Sequence, residues 1–378
     1  MNMEKKERKP FLQIPAVQTF LASIVCIIAG LIIGYIVLLI INPTGAWDAI
    51  VAVLKNFMTY SRETAQIKYL GNTLVKTAPL LMCGLSVLFA YKVGLFNIGA
   101  AGQYVVGAGI SLYAALAWGM PWYVCVLLAM MAGALWGAIS GILKAYCNVN
   151  EVISCIMLNW IGLYLVNALL SNVKESTSPY TLKLTKYAPQ AKLPSLGLEK
   201  LFTNNTYVTI AIPVAVLLAV GIWVLLTKTR LGYELRATGL NKDAARYCGM
   251  RQNFNIILTM VIAGALSGLA AAMLYLSGFE EWSCTQSSVP AMGFNGIAVA
   301  FLGGLNPIGA VFSSFFIQHI TSGGAYVDKT MYCSQISDLI SSVIIYLCGF
   351  VLYFIQFVNK HMRRKENERK ALEGGDVK

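Results

Sequence analysis

Charged residues are scarce in this sequence. Only 12% of its 378 residues are Asp, Glu, Lys or Arg, whereas 57% are hydrophobic. About a quarter of the residues of an ordinary soluble domain are charged, and a soluble core could not hide this much apolar surface. The lipid bilayer must therefore act as the solvent for much of the chain. No long stretch lacks an apolar segment, which leaves no room for a separate soluble domain.

Carboxylate and histidine side chains are equally rare in the apolar runs. Glu151 and Asp338 lie at the edges of runs, and the only histidines are His319 and His361. Proton-driven transporters rely on buried acid or histidine relays, so this scarcity counts against proton coupling. It leaves sodium coupling through backbone carbonyls open.

The sequence also lacks the motifs of an ATPase, a hydrolase or a metal site. It contains no G-x-x-x-x-G-K-[ST] motif, no cluster of His, Cys and carboxylates at metal-ligand spacing, and no workable Ser/His/Asp set. We therefore expect no enzymatic activity, no cofactor and no bound metal in this chain.

The nine cysteines fall mostly inside apolar runs, where a thiol behaves as a small buried hydrophobe. Cys284 and Cys333 differ, because both fall in predicted outer loops. Two unpaired thiols and a disulfide between them are both compatible with the sequence.

Apolar runs predict an all-α fold, a polytopic membrane bundle of about ten transmembrane segments that includes re-entrant or broken helices. The first run is too long for a signal peptide and long enough to span. The runs 289–302 and 305–320 are short and Gly-rich. They are compatible with two short spans, with a re-entrant pair and with one broken helix. The ten runs are 18–41, 74–91, 101–118, 121–143, 152–170, 206–226, 254–277, 289–302, 305–320 and 336–358.

Basic residues support this topology. With both termini in the cytoplasm, most Lys and Arg residues fall in inner segments, as the positive-inside rule requires. The net charge of +12 then reflects topology, and no nucleic-acid partner is predicted. The chain divides into a cytoplasmic N-terminal segment (1–17), a transmembrane domain (18–358) with a cytoplasmic segment (228–253), and a cytoplasmic tail (359–378).

The segment 94–103, GLFNIGAAGQ, combines helix-loosening glycines with the uncharged amides of Asn97 and Gln103. Irregular backbone at membrane depth is tolerated where it faces protein or a cavity. Amides offer both a donor and an acceptor to a neutral polyhydroxylated or heterocyclic substrate. A tight helix–helix contact through small residues is the other interpretation.

The segment 229–250 is too polar to span the membrane. We expect a short cytoplasmic helix pair, with Asn241 capping a helix that runs through Ala244 and Arg246. Its basic residues could bind lipid head groups, or the segment could be a docking surface for a cytoplasmic partner.

Four stretches, in this order along the chain, resemble the permease subunits of bacterial ABC importers, in the branch that serves nucleosides and simple sugars. The usual first motif of that family looks like FNIGAEGQ, and this sequence has Ala101 where Glu is common, which leaves the substrate preference open. The four stretches are GLFNIGAAGQ (94–103), NEVISCIMLNWIGLYLVN (150–167), RLGYELRATGLNKDAARYCGM (230–250) and GFNGIAVAFLGGLNPIGA (293–310).

The resemblance implies three protein partners: an ABC ATP-binding subunit, a second permease subunit that is identical or related, and an extracytoplasmic substrate-binding lipoprotein. It implies that the substrate pathway includes Asn97, Gln103, Asn159 and Asn295. For Asn159 and Asn295, a structural hydrogen bond between helices is the alternative. It also implies a region that couples the permease to the ATPase, with motif positions Arg236, Ala237, Gly239, Asn241, Ala244, Ala245 and Gly249.

The resulting hypothesis is a multi-pass permease of the bacterial cytoplasmic membrane that passes nucleosides, or simple sugars, by alternating access while a partner hydrolyses ATP. A secondary transporter of neutral solutes, with sodium as one candidate coupling ion, is the first alternative, although it would have no need of an ATPase dock at 230–250. A structural membrane protein or receptor component is the second.

Overall fold

The computed structural model describes residues 15–333 and 335–350, together with positions 353, 356 and 360. Over these residues the chain is helical, and extended backbone pairs only in two isolated antiparallel bridges. The helices are α1 (Pro15–Ile41), α2 (Ala46–Lys55), α3 (Glu63–Lys92), α4 (Ala100–Leu116), α5 (Trp122–Cys147), α6 (Glu151–Leu170), α7 (Leu184–Tyr187), α8 (Leu198–Leu201), α9 (Ala211–Lys228), α10 (Arg230–Leu240), α11 (Lys242–Tyr247), α12 (Gln252–Tyr275), α13 (Ala291–Leu302), α14 (Pro307–Gly323) and α15 (Ile336–Cys348).

The prediction of a polytopic helical membrane bundle is confirmed. Within the described ranges, six helices are long and apolar enough to cross a membrane, namely α1, α3, α5, α6, α9 and α12. The shorter helices α4, α13, α14 and α15 fall on the four remaining predicted runs. The count of ten crossings stays a prediction. So does the cytoplasmic placement of the termini, because most of 1–17 and of 359–378 lies outside the described residues.

Helices α13 and α14 form a hairpin rather than one broken helix. Gly304 and Leu305 reverse the chain with φ of 65° and 55°. The Asn306 side chain then caps α14 by accepting a hydrogen bond from the Ile308 N–H at 2.9 Å. The two helices are joined again where the Ser313 hydroxyl donates to the Val299 carbonyl at 2.7 Å.

Helix α13 is short for a membrane crossing. It has 12 residues, which is about 18 Å of helix against a hydrocarbon layer of about 30 Å. Near its C-terminal end, Phe301 packs on Tyr91, at the predicted inner end of α3, with ring centroids 5.1 Å apart. In the predicted topology, Ala291 at the other end of α13 therefore lies near the middle of the membrane, and the non-helical segment 276–290 descends to that depth from the predicted outer end of α12.

A glycine seam holds α5 against α12. A Cβ atom added to Gly264 would lie 2.2 Å from the carbonyl oxygen of Gly133, and one added to Gly268 would lie 2.3 Å from that of Ala129. Helix backbones approach this closely only where side chains are absent. On another side of α12, Gly107 of α4 meets Gly268 in the same way.

The long outer loop between α6 and α9 is fixed to the segment 276–290 through Trp282, which is fully buried. Its indole N–H donates to the Asn167 side-chain oxygen at 2.9 Å, and its carbonyl accepts from the Thr181 N–H at 2.9 Å. The Asn167 amide in turn donates to the Gln286 carbonyl at 2.8 Å. Cys284 and Cys333, whose pairing the sequence left open, are both free thiols.

We expect Gly264→Ala to lower the thermal unfolding temperature of the detergent-purified protein. The new methyl group would collide with the Gly133 backbone, and overpacking of this kind costs about 1–3 kcal/mol. Gly221→Ala on α9 is the matched control, because a Cβ there meets no atom within 4 Å. Replacing a helical glycine by alanine in open space is neutral or stabilising. Equal melting temperatures for the two variants would contradict the seam.

Candidate functional site

A partly buried break separates α3 from α4. Helix α3 ends at Lys92, α4 begins at Ala100, and the residues between them are not helical. Gly94 starts the break with a φ of 80°, a conformation that favours glycine. Asn97 within the break is completely buried. Its polar groups, and those of the surrounding backbone, therefore need partners inside the protein.

The side chains of Asn97 and Gln103 supply those partners to each other. The Asn97 amide donates to the Gln103 carbonyl oxygen at 2.9 Å, and the Gln103 amide donates back at 3.1 Å. Asn97 also donates to the Ser86 hydroxyl on α3 at 3.0 Å. On the far side, Ser86 donates to the Ala263 carbonyl at 2.7 Å and accepts from Ser267 at 2.9 Å. This amide network joins α3, the break, α4 and α12.

Asn159 attaches α6 to the same region. Its side-chain oxygen accepts a hydrogen bond from the Gly102 N–H at 2.8 Å, and its amide donates to the Ile98 carbonyl at 3.2 Å. A Cβ atom on Gly102 would lie 2.6 Å from the Asn159 oxygen, so glycine is needed for this contact. The asparagine of one helix thereby replaces part of the helical bonding that the break removes.

Three of the four predicted pathway residues thus lie together and bond internally, and the fourth is elsewhere. Asn295, on α13, is partly exposed and has no hydrogen-bond partner among the described residues. Next to the network, Ala101 is fully buried against α13, where a Cβ on Gly293 would lie 2.4 Å from its Cα. A longer side chain at position 101 would therefore displace α13.

The segment 229–250 forms the predicted pair of short helices, α10 and α11. Thr229 caps α10, accepting from the Gly232 N–H at 3.0 Å. The prediction that Asn241 caps the second helix is confirmed, because its side-chain oxygen accepts from the Asp243 and Ala244 N–H groups, both at 3.0 Å. The buried Asn255 of α12 donates to the Thr238 hydroxyl at 2.8 Å and holds α10 against the bundle.

The helix pair touches the α3–α4 break through two glycines. A Cβ atom added to Gly94 would lie 2.7 Å from the carbonyl oxygen of Gly239. One added to Gly239 would lie 2.3 Å from the carbonyl carbon of Val93. The predicted cytoplasmic segment and the break therefore meet backbone to backbone, with no side chain between them.

On its other side the helix pair carries large, uncovered side chains. Leu240 is 90% exposed and Tyr247 is 93% exposed. Of the predicted coupling positions, Ala245 is buried, Arg236, Ala237 and Gly239 are partly exposed, and Asn241, Ala244 and Gly249 are exposed. A polar cleft of about 410 Å³ separates α10 from the start of α12; it is lined by Arg230, Tyr233, Glu234, Cys248, Gly249, Met250, Arg251, Phe254 and Asn255.

Nothing in this region has the composition of a metal site. The described part of the chain contains no group of three or more His, Cys, Asp or Glu side chains that could hold a metal ion. The amide network itself consists of neutral amides, hydroxyls and backbone groups. Such groups can bind neutral polar molecules or transmit movement.

Comparison with known proteins identifies this architecture. Residues 69–349 match the family described as branched-chain amino acid transport system / permease component, and the chain belongs to that family. That range contains the break, the amide network and the cytoplasmic helix pair. The chain is a multi-pass permease component of the cytoplasmic membrane, and the resemblance seen in the sequence is confirmed.

Individual relatives are similar over nearly their whole length. The chain is 34% identical over 356 residues to the guanosine ABC transporter permease protein NupP of Bacillus subtilis, covering 91% of this chain and 97% of that protein. It is 30% identical over 367 residues to the nucleoside ABC transporter permease protein NupB of Lactococcus lactis, covering 93% and 95%. The glucose ABC transporter permease protein TsgB13 of Haloferax volcanii is 27% identical over 394 residues, which cover both chains completely. No solved structure matches the chain.

Sequence reasoning found the amides but missed what they bind. Ser86 and Ser267 are single serines in apolar runs, separated by 181 positions, and nothing local marks Ser86 as the partner of Asn97 or Ser267 as the partner of Ser86. The contact between Gly94 and Gly239 was missed for the same reason. The only signal was that each glycine lies in a stretch that resembles the family.

We expect Asn97→Ala to destabilise the purified protein by about 1–3 kcal/mol, because it leaves the buried Gln103 amide without its partner. Asn172→Ala is the control, since Asn172 is exposed and bonds only to a carbonyl in its own turn. Both can be measured by thermal or denaturant unfolding in detergent. A variant Asn97→Ala as stable as Asn172→Ala would show that the network does not hold the break.

Proposed function

We propose that this chain is the permease subunit of an ATP-driven importer that carries nucleosides into the cell. One observation supports this most directly: a cytoplasmic helix pair with uncovered apolar side chains rests on the backbone of a partly buried helix break. A permease driven by a partner needs such a connection, and a secondary transporter does not. The names of the relatives NupP and NupB favour nucleosides, and that of TsgB13 keeps a sugar as the alternative substrate.

The proposed complex contains three further proteins. An ABC ATP-binding subunit binds ATP, hydrolyses it and docks on α10 and α11. A second permease subunit, identical or related, completes the pathway across the membrane. A substrate-binding lipoprotein delivers the nucleoside to the outer loops. Membrane lipid surrounds the transmembrane domain, 18–358, and the coupling segment, 228–253, lies in the cytoplasm.

Transport would proceed by alternating access. When the ATPase moves α10, the contact between Gly239 and Gly94 displaces the start of the break. The amide network carries that displacement to α4 and α12, and Asn159 carries it to α6. In this role Asn97, Gln103 and Asn159 serve the pathway by moving its walls. Asn295, whose amide is free, is the residue of the four that can bind substrate in this conformation.

The substrate assignment is tested by deleting the gene and measuring uptake of radiolabelled guanosine and of labelled glucose in the same cells. We expect loss of guanosine uptake, restored when the gene is returned, with glucose uptake unchanged. Loss of glucose uptake alone would assign the chain to sugar transport. Sodium-dependent guanosine uptake by the purified chain alone would favour a secondary transporter.

We expect Leu240→Ser to weaken binding of the ATP-binding subunit. An exposed apolar anchor at the centre of an interface contributes about 2 kcal/mol, which corresponds to a change in affinity of about 30-fold. Leu201→Ser is the control, because Leu201 is similarly exposed but lies in the outer loop. Affinity is measured between the detergent-purified permease and the ATPase. An unchanged affinity of Leu240→Ser would place the docking surface elsewhere.

Gly239→Ala tests the transmission step separately from docking. The added methyl group would force the Val93 backbone away from α10. We therefore expect the ATPase to bind and hydrolyse ATP while guanosine uptake falls, so that less substrate is moved per ATP. Gly221→Ala serves again as the control in open space. Normal transport per ATP in Gly239→Ala would exclude the glycine contact as the connection.

A further inference from the structure

The predicted topology gives helix α6 a definite position in the membrane. Its first residue, Glu151, forms an ion pair with Lys144 at 2.8 Å at the predicted inner surface. Trp160 lies nine residues later, about 14 Å along the helix, and Tyr164 lies about 20 Å along it. In a hydrocarbon layer of about 30 Å, both side chains sit in the central part of the membrane.

Helix α5 shows how this protein faces lipid. Its outward residues are aliphatic through the middle, with one tyrosine near each end. That is the pattern of a lipid-facing helix, in which aromatic side chains collect at the two membrane–water interfaces. The exposed residues are Tyr123, Leu127, Met131, Leu135, Ile139, Ile142 and Tyr146.

Helix α6 departs from that pattern at its centre. Trp160 is 43% exposed and Tyr164 is 59% exposed. Their rings lie 6.3 Å apart with an interplanar angle of 26°, which makes one continuous aromatic surface. Within the described part of the chain, neither the indole N–H nor the phenol O–H has a hydrogen-bond partner. Two unpaired donors at this depth would be unfavourable against lipid tails.

Polar groups lie at one end of this surface, and the other exposed residues beside it on α6 include the apolar Met157, Ile161 and Leu165. Trp160, Tyr164 and Asn167 lie on one face of α6, at spacings of four and three residues. Asn167 bonds to Gln286 and Trp282 of the segment that descends to mid-membrane. That segment is not helical, and its Thr285, Ser287 and Ser288 are exposed. Irregular backbone at membrane depth faces protein or a water-filled cavity, not lipid.

We infer that Trp160 and Tyr164 form an aromatic step in the substrate pathway, on which the planar base of a nucleoside stacks as it passes through the membrane. This inference rests on the proposed nucleoside transport. Every base offers a π face, so stacking on aromatic side chains tolerates different bases. The free N–H and O–H groups can also donate hydrogen bonds to the base or ribose.

The first test uses the complete importer, with ATPase, second permease and binding protein, in proteoliposomes. We expect Trp160→Leu and Tyr164→Leu each to lower guanosine uptake at least about fivefold, the lower bound for losing one base–aromatic stack. The variants Trp160→Phe and Tyr164→Phe should retain most of the uptake. Tyr123→Leu on α5 is the matched control, since Tyr123 is also 59% exposed, and it should transport normally.

The second test asks whether the surface meets water. In the assembled importer, Tyr164→Cys and Leu135→Cys are treated with a charged, membrane-impermeant methanethiosulfonate, and modification is mapped by mass spectrometry. Leu135 is the control because it is 67% exposed and lies in the middle of the lipid-facing surface of α5. We expect Cys at position 164 to be modified and guanosine to slow the reaction, while position 135 stays unmodified.

The outcomes separate the two proposals. If the wild-type importer takes up no guanosine, the proposed nucleoside transport fails and the aromatic step falls with it. If it transports guanosine but Tyr164→Leu behaves like Tyr123→Leu, the aromatic step alone is overturned. Equal protection of positions 164 and 135 from the reagent would also overturn it, because the face would then contact lipid or the second permease.

Discussion

The reciprocal hydrogen bonds between Asn97 and Gln103 hold the connection between α3 and α4 inside the protein. A buried polar group without a partner is costly, so this connection is stable only when its buried amides are bonded within the protein. Two carboxamides can bond each other in both directions, because each is both donor and acceptor. The serines beside them and Asn159 extend the same solution to α12 and α6.

The break matters because the cytoplasmic helix pair rests on it. Side chains in a contact can change rotamer and absorb movement, whereas two glycine backbones in van der Waals contact cannot. In the proposed transport cycle, a displacement of α10 would therefore pass directly to Gly94. Behind the break, the glycine seam makes α5 and α12 a stiff pair. The helices left to respond are those joined through the amides, namely α4 and α6.

Local features of the sequence predicted much of the fold. Long apolar runs give the membrane helices because hydropathy is a property of the run itself, and the cap of Asn241 depends on residues only two and three positions away. The break was predicted from Gly94 and the amides. The partners of Asn97 and the reversal between α13 and α14 were not, because they depend on which distant helices pack together. Trp160 and Tyr164 lie in the stretch 150–167 that resembles the permease family. Their proposed role could not be inferred from that stretch, because it depends on their depth in the membrane and on their exposure.

The buried Trp282 has a mechanical consequence of its own. Because its indole is bonded to Asn167, and the outer loop is bonded to its backbone, the external covering of the protein is attached to α6. In the proposed transport cycle, a tilt of α6 would therefore move the outer loop and the surface of Trp160 and Tyr164 together, because both are attached to the same helix.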